Sequence, residues 1–322
     1  MGILLLTFII LGCGGENKSQ PPAGLKVIVK IERGMAGVHI GKLLEDKGVI
    51  KSARSFSSYI KSKNLGNALQ AGEYEFLTGM LEEKVVEKLV KGEVRYITVA
   101  IPEGLNVKQI ALLFSEKGLV TQDEFLKKAK NYTPYAYMKT DDDLVEYKCE
   151  GFLFPATYHI KPETSVDGIL ELLTNTFDDY LTGEMREKIR KGDMTIREFI
   201  AIASLVEKEA AVDEDRPYIA KAFLKRLEIH MPLQSCATIQ YILGHPKPEL
   251  TIADTKLPSP YNTYLHYGLP PGPIASPGLL AMKAVLEPAV EDYIYFVVQK
   301  NGKHIFSKTY SEHLAAIERA NQ

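Results

Sequence analysis

Two glutamates separated by one lysine are the side chains of this chain best suited to acid–base chemistry. Glu207 and Glu209 follow the largely apolar run 199–206, whose spacing predicts an α-helix that opens at Thr195 with a capping box to Glu198. On a helical wheel each glutamate lies roughly 80° from the centre of the apolar face. A carboxyl group at such an edge is partly desolvated, which raises its pKa toward the value that a general acid needs. The pattern does not choose between the two glutamates, and a pair of solvated charges is the alternative.

A polar segment rich in proline and glycine follows about fifty residues later, at 259–278. Its amide and phenol groups could hold the acetamido and hydroxyl groups of sugars, and its prolines could fix the wall of a cleft. Ordinary hydrogen bonding within a loop is the alternative. A carboxyl group on a rigid helix that faces such a loop suits acid–base chemistry on a sugar polymer.

Composition limits the class of protein. The 322 residues are enough for two domains, and 45% hydrophobic with 25% charged residues is typical of globular proteins. A formal net charge of −2 gives no overall attraction to nucleic acid. Cys149 and Cys236 lack the spacing of metal ligands and are expected to be buried free thiols rather than a disulfide. No nucleotide-binding loop or cofactor motif is seen, so neither cofactor nor metal is expected.

The first part of the chain contains a repeat with a constant offset of 70 residues. Ile31–Gly34 and Ile101–Gly104 each predict the end of a strand and a glycine turn, followed by a helix that stops at a second glycine. This pattern predicts small α+β modules that look like the LysM type of glycan-binding module. A spacer domain without a ligand is the alternative.

The expected fold class is α+β, with N-terminal LysM-like α/β modules followed by a mixed helical and β catalytic domain. In the second half, Asn301-Gly302 between two β-prone runs predicts a hairpin, and a terminal helix follows it. The predicted division of the chain is an anchor and tether, a first module, a LysM-like second repeat and a catalytic domain, at residues 1–24, 25–97, 98–148 and 149–322.

The N-terminus predicts export and anchoring. The apolar run Ile3–Leu11 is shorter than the ~20 residues that span a bilayer and has the length of a signal-peptide core. Ile10–Cys13 resembles a bacterial lipobox, which would make Cys13 the lipidated first residue of the mature protein. No Lys or Arg precedes the run, and a longer transmembrane anchor that starts upstream is the alternative. Both predict a membrane-anchored body facing the periplasm or extracytoplasmic space.

Beyond these patterns, several stretches resemble the YceG-like family of endolytic murein transglycosylases, in the family's order and across roughly residues 25–320. They are 203–210, 226–235, 259–264, 268–278, 295–297, 304–306 and 309–313. The resemblance implies cleavage within nascent peptidoglycan strands next to the membrane. It also implies penicillin-binding synthases as partners, although no residue indicates such a contact.

The resemblance places the catalytic role on Glu207, the first glutamate of the Val-Glu-Lys-Glu element. Glu207 would protonate the glycosidic oxygen that leaves C1 of N-acetylmuramic acid. It would then deprotonate the C6 hydroxyl of that sugar, which closes a 1,6-anhydro ring without water. One carboxyl group suffices, whereas ordinary hydrolases use two. Substrate-binding roles are implied for Gln234, Ser235, Tyr261, Asn262, Tyr264 and Glu209.

One departure and three alternatives stay open. Many family members carry Asp-Pro where this chain has Cys236-Ala237, which puts local details of the site in doubt. A peptidoglycan hydrolase could use Glu207 with Asp213 or Glu209 as its second acid. A non-catalytic scaffold that binds glycan and organises cell-wall synthases is a rival from another class, and a transport lipoprotein is a weaker one.

Overall fold

The structure is a computed structural model that describes residues 22–320. The chain divides into two compact units, the first ending at Tyr96 and the second beginning at Ile97. The apolar run at the N-terminus and Cys13, the predicted lipidation site, lie outside the described residues. Within residues 22–320, none of the helices combines the length and the apolar character needed to cross a bilayer.

The first unit has a strand–helix–helix–strand order with one further helix. Its elements are β1 (Lys26–Ile31), α1 (Gly37–Asp46), α2 (Ala53–Ser62), β2 (Gly72–Leu77) and α3 (Glu82–Lys91). β1 and β2 pair antiparallel, and their inner faces pack with the helices around the fully buried Phe56 and Tyr74. Gly34 turns the chain after β1 with a φ of 77°, which glycine adopts without strain. The strand, turn and helix predicted for the first repeat are therefore confirmed.

The second unit contains the remaining elements. They are β3 (Ile97–Ala100), α4 (Val107–Glu116), α5 (Gln122–Ala129), β4 (Thr157–Ile160), α6 (Val166–Tyr180), α7 (Gly183–Lys191), α8 (Ile196–Glu209), α9 (Arg216–Glu228), α10 (Cys236–Leu243), α11 (Leu279–Leu286), β5 (Tyr295–Val298), β6 (His304–Ser307) and α12 (Tyr310–Ala320). Single 3₁₀ turns lie at Ala136–Met138, Asp213–Asp215 and Asp254–Lys256. Helices and short antiparallel strand pairs together confirm the α+β class.

The strand that completes the second repeat lies later in the chain than the sequence pattern predicts. β3 pairs antiparallel with β4, so the repeat again has the order strand, helix, helix, strand. The predicted boundary between residues 148 and 149 thus lies inside one compact unit. The reason is physical, because Phe114 and Phe152, on either side of that boundary, belong to one continuous hydrophobic core.

Helix α8 is the central element of the second unit. Every residue from Phe199 to Val206 is buried, and the helix packs against α9, α10 and α11. Thr195 caps its first turn, and the capping box with Glu198 is present as predicted. A helix that is buried on all sides is held rigidly by its neighbours. Its last turn, where this burial ends, carries Glu207 and Glu209.

The predicted hairpin is confirmed near the C-terminus. β5 and β6 pair antiparallel across a turn at Asn301-Gly302, and Gly302 has a φ of 84°. Helix α12 packs against both strands. This hairpin brings residues from the end of the chain close to α8, through contacts that no local pattern predicts.

Candidate active site

The two glutamates at the end of α8 lie in different surroundings. Residues two positions apart on an α-helix point roughly 160° away from each other. Glu207 therefore faces the loops around residues 103 and 278, whereas Glu209 faces α10 and the C-terminal hairpin.

Glu207 is enclosed and paired. Its side chain is 6% exposed, and its Oε1 lies 3.1 Å from Nη1 of Arg216. Its Oε2 accepts a hydrogen bond of 2.9 Å from the backbone N–H of Gly278. Arg216 also donates from Nε to Asp213 at 3.0 Å. Both oxygens of Glu207 are thus engaged by the protein itself, and this carboxylate ties α8 to the start of α9 and to the proline-rich loop.

Glu103 completes this cluster of charges. Burial and the neighbouring Glu207 carboxylate raise the pKa of Glu103, against a lowering effect of Arg216. A Cβ atom at Gly278 would lie 1.8 Å from the Glu103 carboxylate, so any larger residue there would have to displace the Glu103 side chain. The cluster joins the turn after β3 to the loop before α11.

Glu209 is held on one oxygen only. The hydroxyl of Ser235 donates to Oε1 at 2.5 Å, and the backbone N–H of Ala237 approaches the same oxygen at 3.4 Å. These donors lie at the N-terminus of α10, where a negative charge is favoured. Within residues 22–320, the other oxygen, Oε2, has no hydrogen-bond partner. Glu209 is thus fixed in orientation but keeps one oxygen free for a ligand.

Glu209 lines a cleft of about 330 Å³, referred to below as the Glu209 cleft. Its walls are Glu209, Arg226, Gln234, Cys236, Tyr264, Phe296, Val298, His304 and His313. They come from α8, α9, the loop before α10, α10 itself, the proline-rich segment, the C-terminal hairpin and α12. Aromatic rings, an amide, a phenol and a single carboxylate in one concave site match the general make-up of a small-ligand site.

Gln234 lies in the cleft in an unusual backbone conformation. Its φ is 47°, in the left-handed region that glutamine rarely occupies. The backbone N–H of Gln234 donates to the carbonyl of Thr263 at 3.1 Å, which helps to hold this conformation. The side chain is exposed toward the cleft and is free to meet a ligand. Backbone strain of this kind is concentrated at binding and catalytic sites.

The other predicted substrate contacts have different surroundings. Ser235 is 2% exposed and is committed to Glu209. Asn262 is fully buried; its amide donates to the carbonyls of Thr255 and Leu257, and its oxygen accepts from the N–H of Tyr264. No group of Asn262 is left for a sugar, so this residue braces the loop.

The two tyrosines of the same element differ as well. Tyr261 is buried and packs on Tyr241 at a ring distance of 5.0 Å, outside the Glu209 cleft. Tyr264 lies in the cleft, with its hydroxyl 3.1 Å from the thiol of Cys236. Burial raises the pKa values of Tyr264 and Cys236, so both groups stay protonated at neutral pH.

Both cysteines in the described residues are free. Cys149 is buried, as expected, and its thiol donates to the carbonyl of Ala129. Cys236 is exposed rather than fully buried, because it opens α10 at the edge of the Glu209 cleft, and the partial desolvation of its thiol there is what raises its pKa. A neutral thiol thus stands where the sequence resemblance implies an aspartate.

Three wall residues come from stretches to which the sequence pattern assigned no firm site role. Arg226 donates to the carbonyls of Ile294 and Leu233 and fixes the hairpin beside the cleft. His313 stacks on Tyr295, and burial together with Arg226 lowers its pKa. His304 is bound to Asp215 behind the cleft wall. Only the folded chain brings these residues together, although all three lie in stretches that carried the family resemblance.

Residues 29–319 match the YceG-like family, and the chain belongs to that family. It is 32% identical to the endolytic murein transglycosylase of Bacillus subtilis (strain 168) over 305 residues, which cover 91% of this chain and 84% of the relative. It is also 35% identical to the endolytic murein transglycosylase of Streptococcus pneumoniae serotype 2 (strain D39 / NCTC 7466), over 89% of this chain. In that comparison the chain spans 57% of the relative's length.

The fold is similar to a solved structure from the same family. A crystal structure of a YceG-like protein from Listeria monocytogenes superposes with a TM-score of 0.64 at 34% identity, and the match covers 91% of this chain and 99% of the other. Sequence and structure comparisons therefore agree on the family.

Proposed function

We propose that this chain is an endolytic murein transglycosylase that cleaves nascent glycan strands between N-acetylmuramic acid and N-acetylglucosamine and leaves 1,6-anhydro ends, thereby terminating strand elongation. The two relatives described above are both named endolytic murein transglycosylases, which supports the reaction class. The observation that supports it most strongly is the Glu209 cleft, in which one carboxylate with a free oxygen is surrounded by aromatic and polar side chains.

The catalytic group in this proposal is Glu209 rather than Glu207. Glu207 is enclosed and uses both oxygens within the protein, on Arg216 and on the backbone of Gly278. Glu209 keeps Oε2 open to the cleft that also contains Gln234 and Tyr264. A general acid has to reach the oxygen that it protonates, so accessibility favours Glu209.

The number of carboxylates favours transglycosylation over hydrolysis. Among the described residues, Glu209 is the only Asp or Glu that lines the cleft. Hydrolases that use water position a second carboxylate at a defined distance from the first. A lone carboxyl group can instead protonate the leaving oxygen and let the C6 hydroxyl of the substrate attack C1. The hydroxyl proton is then accepted by a base in the site, and no water enters the reaction.

Substrate binding is assigned to the exposed walls of the cleft. The amide of Gln234 offers a donor and an acceptor for an acetamido group, and Tyr264 offers a phenol that remains protonated. Aromatic faces such as Phe296 can pack on the apolar face of a sugar ring. Ser235 acts indirectly, by holding Glu209.

The remaining parts of the proposal concern location and partners. Both repeats have the order strand, helix, helix, strand with an antiparallel pair, which supports LysM-like modules that bind glycan. Lipidation at Cys13, or a transmembrane anchor, would hold the body at the outer face of the cell membrane beside nascent strands. Penicillin-binding synthases, which make those strands, are the proposed protein partners.

The test is the chemistry of the new chain ends. The full-length chain is incubated with uncrosslinked glycan strands, and the products are analysed by mass spectrometry. Anhydro-muramyl ends are expected. Ordinary reducing ends would mean a hydrolase, and intact strands with membrane-reconstituted protein would favour the glycan-binding scaffold.

A further inference from the structure

A nearly buried histidine–aspartate pair lies at the wall of the Glu209 cleft, with His304 in the wall and Asp215 behind it. Nδ1 of His304 lies 2.9 Å from Oδ2 of Asp215, and the backbone N–H of His304 donates to the same oxygen at 2.7 Å. The side chains of His304 and Asp215 are 2% and 11% exposed. A carboxylate only accepts hydrogen bonds, so Nδ1 carries the hydrogen. The pair thus fixes both the orientation and the tautomer of the ring.

The other ring nitrogen of His304, Nε2, is available to a ligand in the cleft. With Nδ1 protonated, Nε2 of the neutral ring carries a lone pair. Within the described part of the chain, Nε2 has no hydrogen-bond partner. It is also not one of the fully buried atoms without a partner, so it keeps some accessible surface. His304 lines the Glu209 cleft, and the small accessible part of its side chain, 2% of the whole, is the part that a ligand in the cleft can contact.

The surrounding contacts hold the ring in place. Phe296 packs edge-on at a ring distance of 5.6 Å, and Phe306 lies at 6.0 Å. Asp215 is itself fixed at the start of α9, next to Arg216, the partner of Glu207. A histidine oriented by a carboxylate, with its second nitrogen facing a polar cleft, has the arrangement of a general base.

We propose that His304 is the base that accepts the proton of the C6 hydroxyl, while Glu209 acts as the acid; this inference rests on the proposed transglycosylase function. The bond from C1 to the glycosidic oxygen breaks, its electron pair goes to that oxygen, and Glu209 gives it a proton. The C6 oxygen forms the new bond to C1, and its proton passes to Nε2 of His304. The imidazolium then returns this proton to the Glu209 carboxylate through solvent in the cleft, which restores both groups.

Assigning the acid to Glu209 and the base to His304 is consistent with the way in which Glu209 is held. Ser235 and the N-terminus of α10 fix Oε1, so the carboxyl group has one free oxygen to offer at a time. A separate base can accept the proton of the C6 hydroxyl while Glu209 still contacts the leaving oxygen that it has protonated. The titratable and charged groups that share the site with His304 are Asp215, Glu209, Arg226, Cys236, Tyr264 and His313.

The experiment compares full-length wild type, His304→Gln and a matched control, His266→Gln, on uncrosslinked glycan strands. His266 is exposed on the loop after Tyr264 and does not line the cleft. Formation of anhydro ends is followed at substrate saturation between about pH 5 and pH 8. We expect His304→Gln to lower kcat by about 10²–10⁴-fold throughout this range, the usual contribution of a general base. His266→Gln should match wild type.

The possible results distinguish the role of His304 from the transglycosylase function itself. A wild-type rate and profile in His304→Gln would overturn the role of His304 while leaving the transglycosylase function intact. An absence of anhydro ends from wild type would overturn both. If circular dichroism shows that His304→Gln is unfolded, nitrogen NMR of the wild-type ring replaces it. The neutral form must then carry its proton on Nδ1, and a proton on Nε2 would contradict the proposal.

Discussion

At the scale of single residues, the site depends on which carboxylate is free. Glu207 and Glu209 have similar sequence surroundings, yet Glu207 forms a nearly buried ion pair with Arg216, whereas Glu209 lines the Glu209 cleft. The helical wheel placed both at the edge of the buried face but could not distinguish them. Their difference arises from Arg216 and Ser235, which approach α8 from distant parts of the chain. Sequence alone therefore predicted the pair of candidates and not the choice between them.

Ser235 provides the first prediction. Ser235→Ala removes the hydroxyl that holds Oε1 of Glu209. A hydrogen bond to a charged group contributes about 1.5–3 kcal/mol, so the rate of anhydro-end formation should fall roughly 10–100-fold. Ser235→Thr keeps the hydroxyl and serves as the control. Equal activity of the alanine variant and wild type would show that Ser235 does not position the acid.

At the scale of elements, the sequence correctly predicted the caps, turns and hairpin that depend on residues close together in the chain. The capping box at Thr195, the glycine turn at Gly34 and the hairpin at Asn301-Gly302 are all present, because each depends on residues close in sequence. The pairing of β3 with β4 was not predicted, since the closing strand lies beyond the aromatic stretch 150–156. The convergence of the C-terminal hairpin on α8 was likewise not predicted, because it follows from tertiary packing.

Arg216 provides a prediction at this scale. It joins the start of α9 to Glu207 on α8, and both side chains are nearly buried. Arg216→Met leaves Glu207 without its counter-charge, and removing one partner of a buried ion pair costs about 3–5 kcal/mol. Urea unfolding should show this loss. Arg216→Met combined with Glu207→Gln should recover part of it, because no unpaired buried charge remains; a double variant no more stable than Arg216→Met would contradict the pairing.

At the scale of the whole molecule, a buried carboxyl group couples stability to pH. Glu150 is 2% exposed and interacts with the backbone N–H of Val107 at the start of α4 and with the hydroxyl of Tyr241 on α10. Burial raises the pKa of Glu150 to about 8, from an ordinary value of 4.5. Between these values the folded state holds a proton that the unfolded state has lost. The contribution of Glu150 to stability is therefore full below about pH 4.5 and declines as the pH rises toward 8.

The corresponding prediction concerns Glu150→Gln, which cannot titrate. Wild type should lose stability from pH 5 to pH 8 by up to roughly 1.4 kcal/mol per pH unit more than the variant does. Thermal unfolding at several pH values measures the difference. Parallel pH dependences in the two proteins would mean that Glu150 is ionised in the folded state throughout.

The measurement that tests the central claim most directly compares Glu209→Gln with Glu207→Gln. Each variant, as full-length protein, is incubated with uncrosslinked glycan strands, and anhydro-muramyl ends are counted by mass spectrometry beside a circular dichroism check of folding. Glu209→Gln should fold and lose at least about 10²-fold in rate, as expected when a general acid is removed. Folded Glu207→Gln should still form anhydro ends. Loss of product in a folded Glu207→Gln, with Glu209→Gln active, would contradict the assignment.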